Sequence, residues 1–361
     1  MIFKIYQNFL IKEFLVILSK ITFIFFVLGL IMGILEEINF FSDYEVEFYY
    51  PIILVLLNIP SLIYEIFPFI FLLSSQFFFI NLMDRDELLA FKNNTLENTK
   101  ILKIVGLLSF FLGLLIIIIF YNFSAILKFQ YLDIKKNFTN DNKYLASITE
   151  NGLWIKDETK NNYINFINAK KISKNLIFDV DIIQLDDKFE YLNIIQSKKI
   201  DIKDETWIVY NPVITYKNND VETKDQILFE SNFNYERINN LYSNLSSLAI
   251  WNLLKLKSDY TSINYSTVEI DYQIQKILSF PFLITVMTLL TSIIMMNIKF
   301  QKPKVFFLIF GILISVMIYY INFFLGALGK NEKIPLIISV WMPIILLSII
   351  YIIGVVKINE K

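Results

Sequence analysis

Six apolar runs, set in two groups of three around a long polar stretch, constrain this chain more than any other feature. A helix needs about 20 apolar residues to cross a lipid bilayer. Phe14–Leu35 meets that requirement, with Lys20 inside it. Pro51–Met83 is longer than needed and contains Pro60 and Pro68. Because proline is at ease in a first turn, the expectation is an interfacial segment followed by a helix from about Ile66 to Met83. Ile101–Leu127 is the third run, and Ile274–Met296, Val305–Leu325 and Ile334–Val356 complete the six.

Composition agrees. The 361 residues are 55% hydrophobic and 19% charged, with a mean hydropathy of +0.53, which is too apolar for an ordinary soluble domain. The net charge of −1 gives no field that would draw nucleic acid. The chain has neither Cys nor His, which excludes disulfides, thiol nucleophiles, zinc sites built on those residues and any Ser-His-Asp triad. The first apolar run outlasts a signal-peptide core and no small-residue cleavage site follows it, so it is expected to remain as a helix.

Lysine placement sets the expected orientation. Lys4 and Lys12 precede the first run, and Arg85, Lys92, Lys100 and Lys103 lie between the second and third. Lys299, Lys302 and Lys304 lie between the fourth and fifth, and Lys357 and Lys361 end the chain. The alternate loops are poor in basic residues: 36–50 has none, and 326–333 has Lys330 and Lys333 beside Glu332. The positive-inside rule puts both termini in the cytoplasm and residues 131–265 outside it.

That outer region contains short stretches rich in β-branched and aromatic residues, such as "LIFDVDIIQL" and "TWIVYNPVITYK", separated by polar turns such as "QLDDKFE". The pattern predicts an all-β sandwich or jelly roll over 131–265, with a helix at Ser247–Lys257 capped by Ser246 or Ser247. Paired acids (Asp157/Glu158, Asp186/Asp187) read as solvated turn residues, and acids and bases nearly balance. An outer sheet whose edge accepts another sheet is a better reading of this region than an enzyme.

Ionisable residues within or beside the runs are candidate sites, because burying charge in a bilayer is costly. Lys20 can snorkel to the nearer face, and Glu65 reads as interfacial. Lys128, Lys135, Lys136 and Lys276, at the outer ends of the third and fourth runs, can serve as interfacial anchors or as partners of headgroup phosphates. The stretch "NLMDRDELLAFKNNTLENT" (81–99) stands apart. Its leucines and Phe91 mix with Asp84, Arg85, Asp86 and Glu87 as in a short amphipathic helix along the cytoplasmic face. A plain connector is the competing reading, but it needs neither the acids nor the leucines. No P-loop occurs in the chain, and "GALGK" (326–330) lacks the spacing for one. A protein without its own ATP site would need such a helix to be driven by a cytoplasmic ATPase.

The order of these features resembles the lipopolysaccharide-export permeases of the LptF/LptG type. The resemblance rests on "IPSLIYEIFPFIFLLSSQFFFINLMDRDELLAF" (59–91), "NGLWIKDE" (151–158), "SSLAIWNLLKLK" (246–257) and "KIPLIISVWMPIILLSIIYII" (333–353), and covers essentially the whole chain. The "GLW-x-K-D" opening and the "IP" start of the last run look more like LptG than LptF. The resemblance implies six transmembrane helices with an inserted periplasmic jelly roll, and a bacterial inner-membrane location. It implies a heterodimer with an LptF-like permease, driven by two copies of an LptB-like ATPase. Lipopolysaccharide would pass to LptC-like and LptA-like periplasmic β proteins. The permease would have no catalysis or cofactor of its own, ATP being bound by the partner. Residues 84–97 would form the coupling helix, with Glu87 pairing to the ATPase and Arg85, Asp86 and Leu88 beside it. Glu36 matches an acidic position of the family. The basic residues that members carry near the outer end of span one are missing, since "GILEEINFFSDYEVEF" has no Lys or Arg. Lys135 and Lys136 lie near positions where the family has Arg. Two alternatives stand beside this reading: the LptF-type paralogue, and a membrane-anchored scaffold or receptor without transport.

Overall fold

The structure is a computed structural model that describes residues 5–42, 44, 46–93, 97–136, 138, 153–158, 163–173, 175–186, 188–235, 238, 244–262, 266–296 and 304–359. Lys4, Leu96, Asn151, Gly152, Asp187, Lys299, Lys302 and Lys361 lie outside the described residues, as do the side chains of Lys92, Lys136, Lys304 and Lys357. The chain divides into two compact units, Met1–Tyr131 with Val268–Lys361, and Leu132–Thr267.

The first unit is helical. Its spans are α1 (Ile5–Phe40), α2 (Tyr49–Asp84), a third made of α4 (Asn98–Leu115), a π-helical segment (Ile116–Tyr121) and α5 (Asn122–Lys136), then α7 (Val268–Met296), α8 (Lys304–Lys330) and α9 (Leu336–Asn359). A short α3 (Glu87–Asn93) lies between α2 and α4 in the chain, and α6 (Ile250–Ser262) belongs to the second unit. All six spans have the length and apolar character to cross a membrane. α1 and α2 run antiparallel: a Cβ on Gly33 would meet Val55, and Glu13 lies against Arg85.

Contrary to the expected interfacial segment, α2 is one unbroken helix of 36 residues with Pro60 and Pro68 inside it. In hydrocarbon a broken turn would strand backbone groups with no water to bond, so a spanning helix continues through proline while its neighbours absorb the distortion. At about 54 Å long, α1 and α2 overshoot a hydrocarbon core of about 30 Å.

α2 and α7 form the buried centre, and they carry the small and hydroxylated residues. Ser61, Ser74, Ser75 and Gln76 on α2, and Ser279, Thr288, Thr291 and Ser292 on α7, are buried. Four of the hydroxyls return to the helix they come from: Ser75 donates to the Phe71 carbonyl, Ser279 to Lys276, Thr291 to Met287 and Ser292 to Thr288. Small residues let backbones close up, which is how packing is gained where lipid offers no hydrophobic drive. Where α4 crosses α7, a Cβ on Gly113 would lie 2.8 Å from Cα of Pro281, a backbone atom.

The second unit is an antiparallel sheet of β1 (Leu153–Glu158), β2 (Ile164–Ser173), β3 (Leu176–Leu185), β4 (Tyr191–Asp201), β5 (Thr206–Tyr210), β6 (Val213–Tyr216), β7 (Val221–Thr223) and β8 (Gln226–Glu230). The strands run β1-β2-β3-β4-β5-β8, with a branch in which β6 pairs with β4 and β7 with β6. The inward residues reveal how a single sheet encloses a core. Ile167, Ile182 and Ile195 form one inner row, and Ala169, Val180 and Ser197 the next. The following inner row is Ile172, Ile177 and Ile200, three residues further along each strand instead of two. All three strands slip phase at the same place, and Asp179 fills the gap with φ 49°. The strands stay in register across that place, so the change of phase re-aims the inward side chains beyond it on all three strands together. Trp207 is fully buried and donates its indole N–H to the Phe233 carbonyl at 2.6 Å.

Candidate functional site

Residues 84–97 do not form a single helix. α2 ends at Asp84, the chain changes direction in a two-residue turn over Arg85 and Asp86, and α3 begins at Glu87. Arg85 N–H donates to the Asn81 carbonyl and Asp86 N–H to Met83, closing the last turn of α2. Asp86 has φ 55°, a left-handed conformation that a short polar side chain tolerates and a branched one does not. Its carbonyl then accepts from Ala90 N–H, the first helical bond of α3. Asp86 therefore shapes the turn and stands exposed.

The turn sorts the leucines. Leu88 is buried while Leu89 faces out, 48% exposed. Phe91 turns back to α1, where its ring lies 6.2 Å from that of Phe9. The charges sort likewise. Arg85 Nη1 lies 3.4 Å from Glu13 Oε1 of α1 and 3.9 Å from Glu87 Oε1, so one guanidinium serves two carboxylates. The Glu87 side chain is only 26% exposed. Its Oε2 is shielded and has no hydrogen-bond partner among the described residues. Burial raises the Glu87 carboxyl above its ordinary pKa; Arg85 opposes that rise and Glu13 adds to it. Arg85 is half exposed, and pairs of that kind are worth about 0–1 kcal/mol, too little to decide whether a six-span bundle folds.

A second group lies on α2, α5, α7 and α8. Lys128 of α5 pairs with Glu65 of α2 at 3.8 Å. Lys276 of α7 stands in the field of Glu65 and of Lys330 at the end of α8. Lys330 in turn lies 4.9 Å over the ring of Tyr272. The structure thus brings together two of the predicted lysines, Lys128 and Lys276, and adds Lys330 and Glu65. Lys135 is buried in α5; Lys136 ends the same helix. Glu36 is exposed on α1, with no ion pair among the described residues. Its neighbour Glu37 is buried instead and accepts a hydrogen bond from the Tyr131 hydroxyl at 2.9 Å. Sequence reasoning passed over Glu13, because it sits among lysines at a chain start where orientation was the question. The only available signal was Phe9 and Glu13 four residues apart, on one helix face.

The match to a known protein family comes from the chain as a whole. Residues 8–357 match the family model of the lipopolysaccharide export system permease LptF/LptG. No curated protein matches the chain. Six apolar spans, an antiparallel β unit inserted after the third, and a match over nearly every residue lead to one conclusion: this chain is a multi-pass membrane protein of the LptF/LptG family of lipopolysaccharide export permeases.

Proposed function

We propose that the chain is the LptG-type subunit of an ATP-driven lipopolysaccharide exporter in a bacterial inner membrane, paired with an LptF-like permease. In this reading both termini and α3 face the cytoplasm, where a pair of LptB-like subunits binds and hydrolyses ATP. The permease itself holds no cofactor and catalyses nothing. Lipopolysaccharide leaves the outer leaflet between the spans and rises through the β unit toward LptC-like and LptA-like proteins. Lys128 and Lys276, with Lys330, would supply positive charge for its phosphates, which the acidic end of α1 does not offer.

The observation that carries the reading is the turn at Arg85–Leu88, which keeps Glu87 half-buried with one oxygen unspent. A basic residue in a groove of the ATPase completes that oxygen, while Leu88 anchors α3 to the bundle and Asp86 sets its angle. The test is a strain whose only copy carries Glu87→Ala or Glu87→Lys. Loss of surface lipopolysaccharide, with the protein still inserted in the membrane, supports the coupling role. Normal growth and normal surface lipopolysaccharide overturn it. Co-purification separates transporter from scaffold: a scaffold brings down no ATPase.

A further inference from the structure

α1 meets the coupling turn through two contacts on one face. Phe9 packs on Phe91 of α3, and four residues later Glu13 reaches Arg85 of the turn. Beyond these, the face continues inward as Leu10, Phe14, Ile17 and Ile21, all buried, with Phe14 in ring contact with Phe71 and Phe78 of α2. The start of α1 is therefore fastened to the turn by one polar and one aromatic contact, and to α2 by an apolar seam.

The polar contact is shared. Arg85 holds Glu13 at 3.4 Å and Glu87 at 3.9 Å, the latter the looser of the two. Glu87 also keeps an oxygen with no partner among the described residues. A cation arriving at Glu87 competes with Arg85 for that carboxylate and releases the guanidinium toward Glu13. Glu13 is 18% exposed and already lies 3.4 Å from Arg85, so a guanidinium released by Glu87 settles on a partner it already holds and tightens the tie between that turn and α1.

We infer that Glu13 is a positioning residue of the coupling machinery: through Arg85 it ties the cytoplasmic end of α1 to the occupancy of Glu87, so that docking at α3 is felt by the first span. The inference rests on the reading of α3 as the ATPase contact. It assigns Arg85 the role of a shared counter-ion that changes partner, and leaves Glu87 alone to touch the ATPase.

The test is a double-mutant cycle in the complete complex reconstituted in liposomes, reading lipopolysaccharide released per ATP hydrolysed. Glu13→Gln keeps shape and removes charge, and the ratio is expected to fall about fivefold or more, the scale of a typical coupling between sites. Arg85→Gln is expected to do the same, and the double variant no more than either single, since both break one link. A ratio unchanged in Glu13→Gln, even if export and hydrolysis fall together, makes the pair merely structural and overturns the inference. Losses that add in the double variant overturn it too. Glu87→Ala is assayed in parallel. If it loses the ATPase while Glu13→Gln is silent, the coupling site stands and the inference falls. If it keeps both the ATPase and the ratio, the reading of α3 falls first.

Discussion

Glu87 is an acid whose surroundings favour its neutral form: burial acts most, Arg85 offsets part of the effect, and Glu13 adds to it. The sign of the pH dependence follows. With the folded-state pKa above the unfolded one, charged Glu87 costs the fold stability above its raised pKa, and that cost fades as pH falls through it. Docking as proposed would run the other way, since a partner cation favours the carboxylate. Binding of the ATPase is therefore expected to weaken on mild acidification, in the window just above the ordinary glutamate range. Glu87→Gln should bind more weakly and show no such window; affinity measured across pH on detergent-solubilised complexes checks this. At this scale the sequence was readable only in part. Glu87 and Leu88 stood out because charges and leucines alternate between two apolar runs. Nothing local separates Glu36 from Glu37, since one helical step decides which is exposed and which is buried. Nor does composition reveal that Asp86 serves a left-handed turn.

Among the elements, the third span shows most clearly what tertiary packing imposes. Gly113 lets α4 reach Pro281 of α7, and within the next turn the helix opens into the π-helical segment Ile116–Tyr121. The wider turn brings Tyr121 inward, 4.9 Å from the ring of Tyr64, which itself stacks on Phe280 at 4.7 Å. Asn122 donates to the Ile118 carbonyl within that wider turn. Gly113→Val would force its Cβ onto backbone, which cannot yield as a side-chain tip can. We expect a cost of about 1–3 kcal/mol, the usual range for overpacking, seen as a lower melting temperature of the solubilised protein. Spans and strands were legible because bilayer thickness and the two-residue strand period leave strong marks on a sequence. The prolines of α2 misled, because the rule that they end helices assumes water to satisfy the freed carbonyls. The phase slip across β2, β3 and β4 was illegible for another reason: it exists only once three strands are in register.

On the scale of the whole molecule, many apolar side chains of α1, α8 and α9 remain exposed, including Phe23, Met32, Phe310, Phe323 and Ile353. In a membrane such surfaces meet lipid or another span, so isolated burial understates how these helices are packed in a working complex. What joins α8 to α2 is polar and specific. Gln76, buried at 1% exposure, donates its amide to the Phe307 carbonyl at 2.8 Å, and a Cβ on Gly311 would overlap that amide. The glutamine needs the glycine, and the glycine leaves an empty notch without the glutamine. Changing either alone is expected to cost the contact, so the two positions are expected to vary together. Aligned relatives should show glycine at 311 travelling with the long amide at 76, and a bulkier residue at 311 only where 76 has shrunk. Independent drift at the two positions would show that other lineages fasten these helices differently.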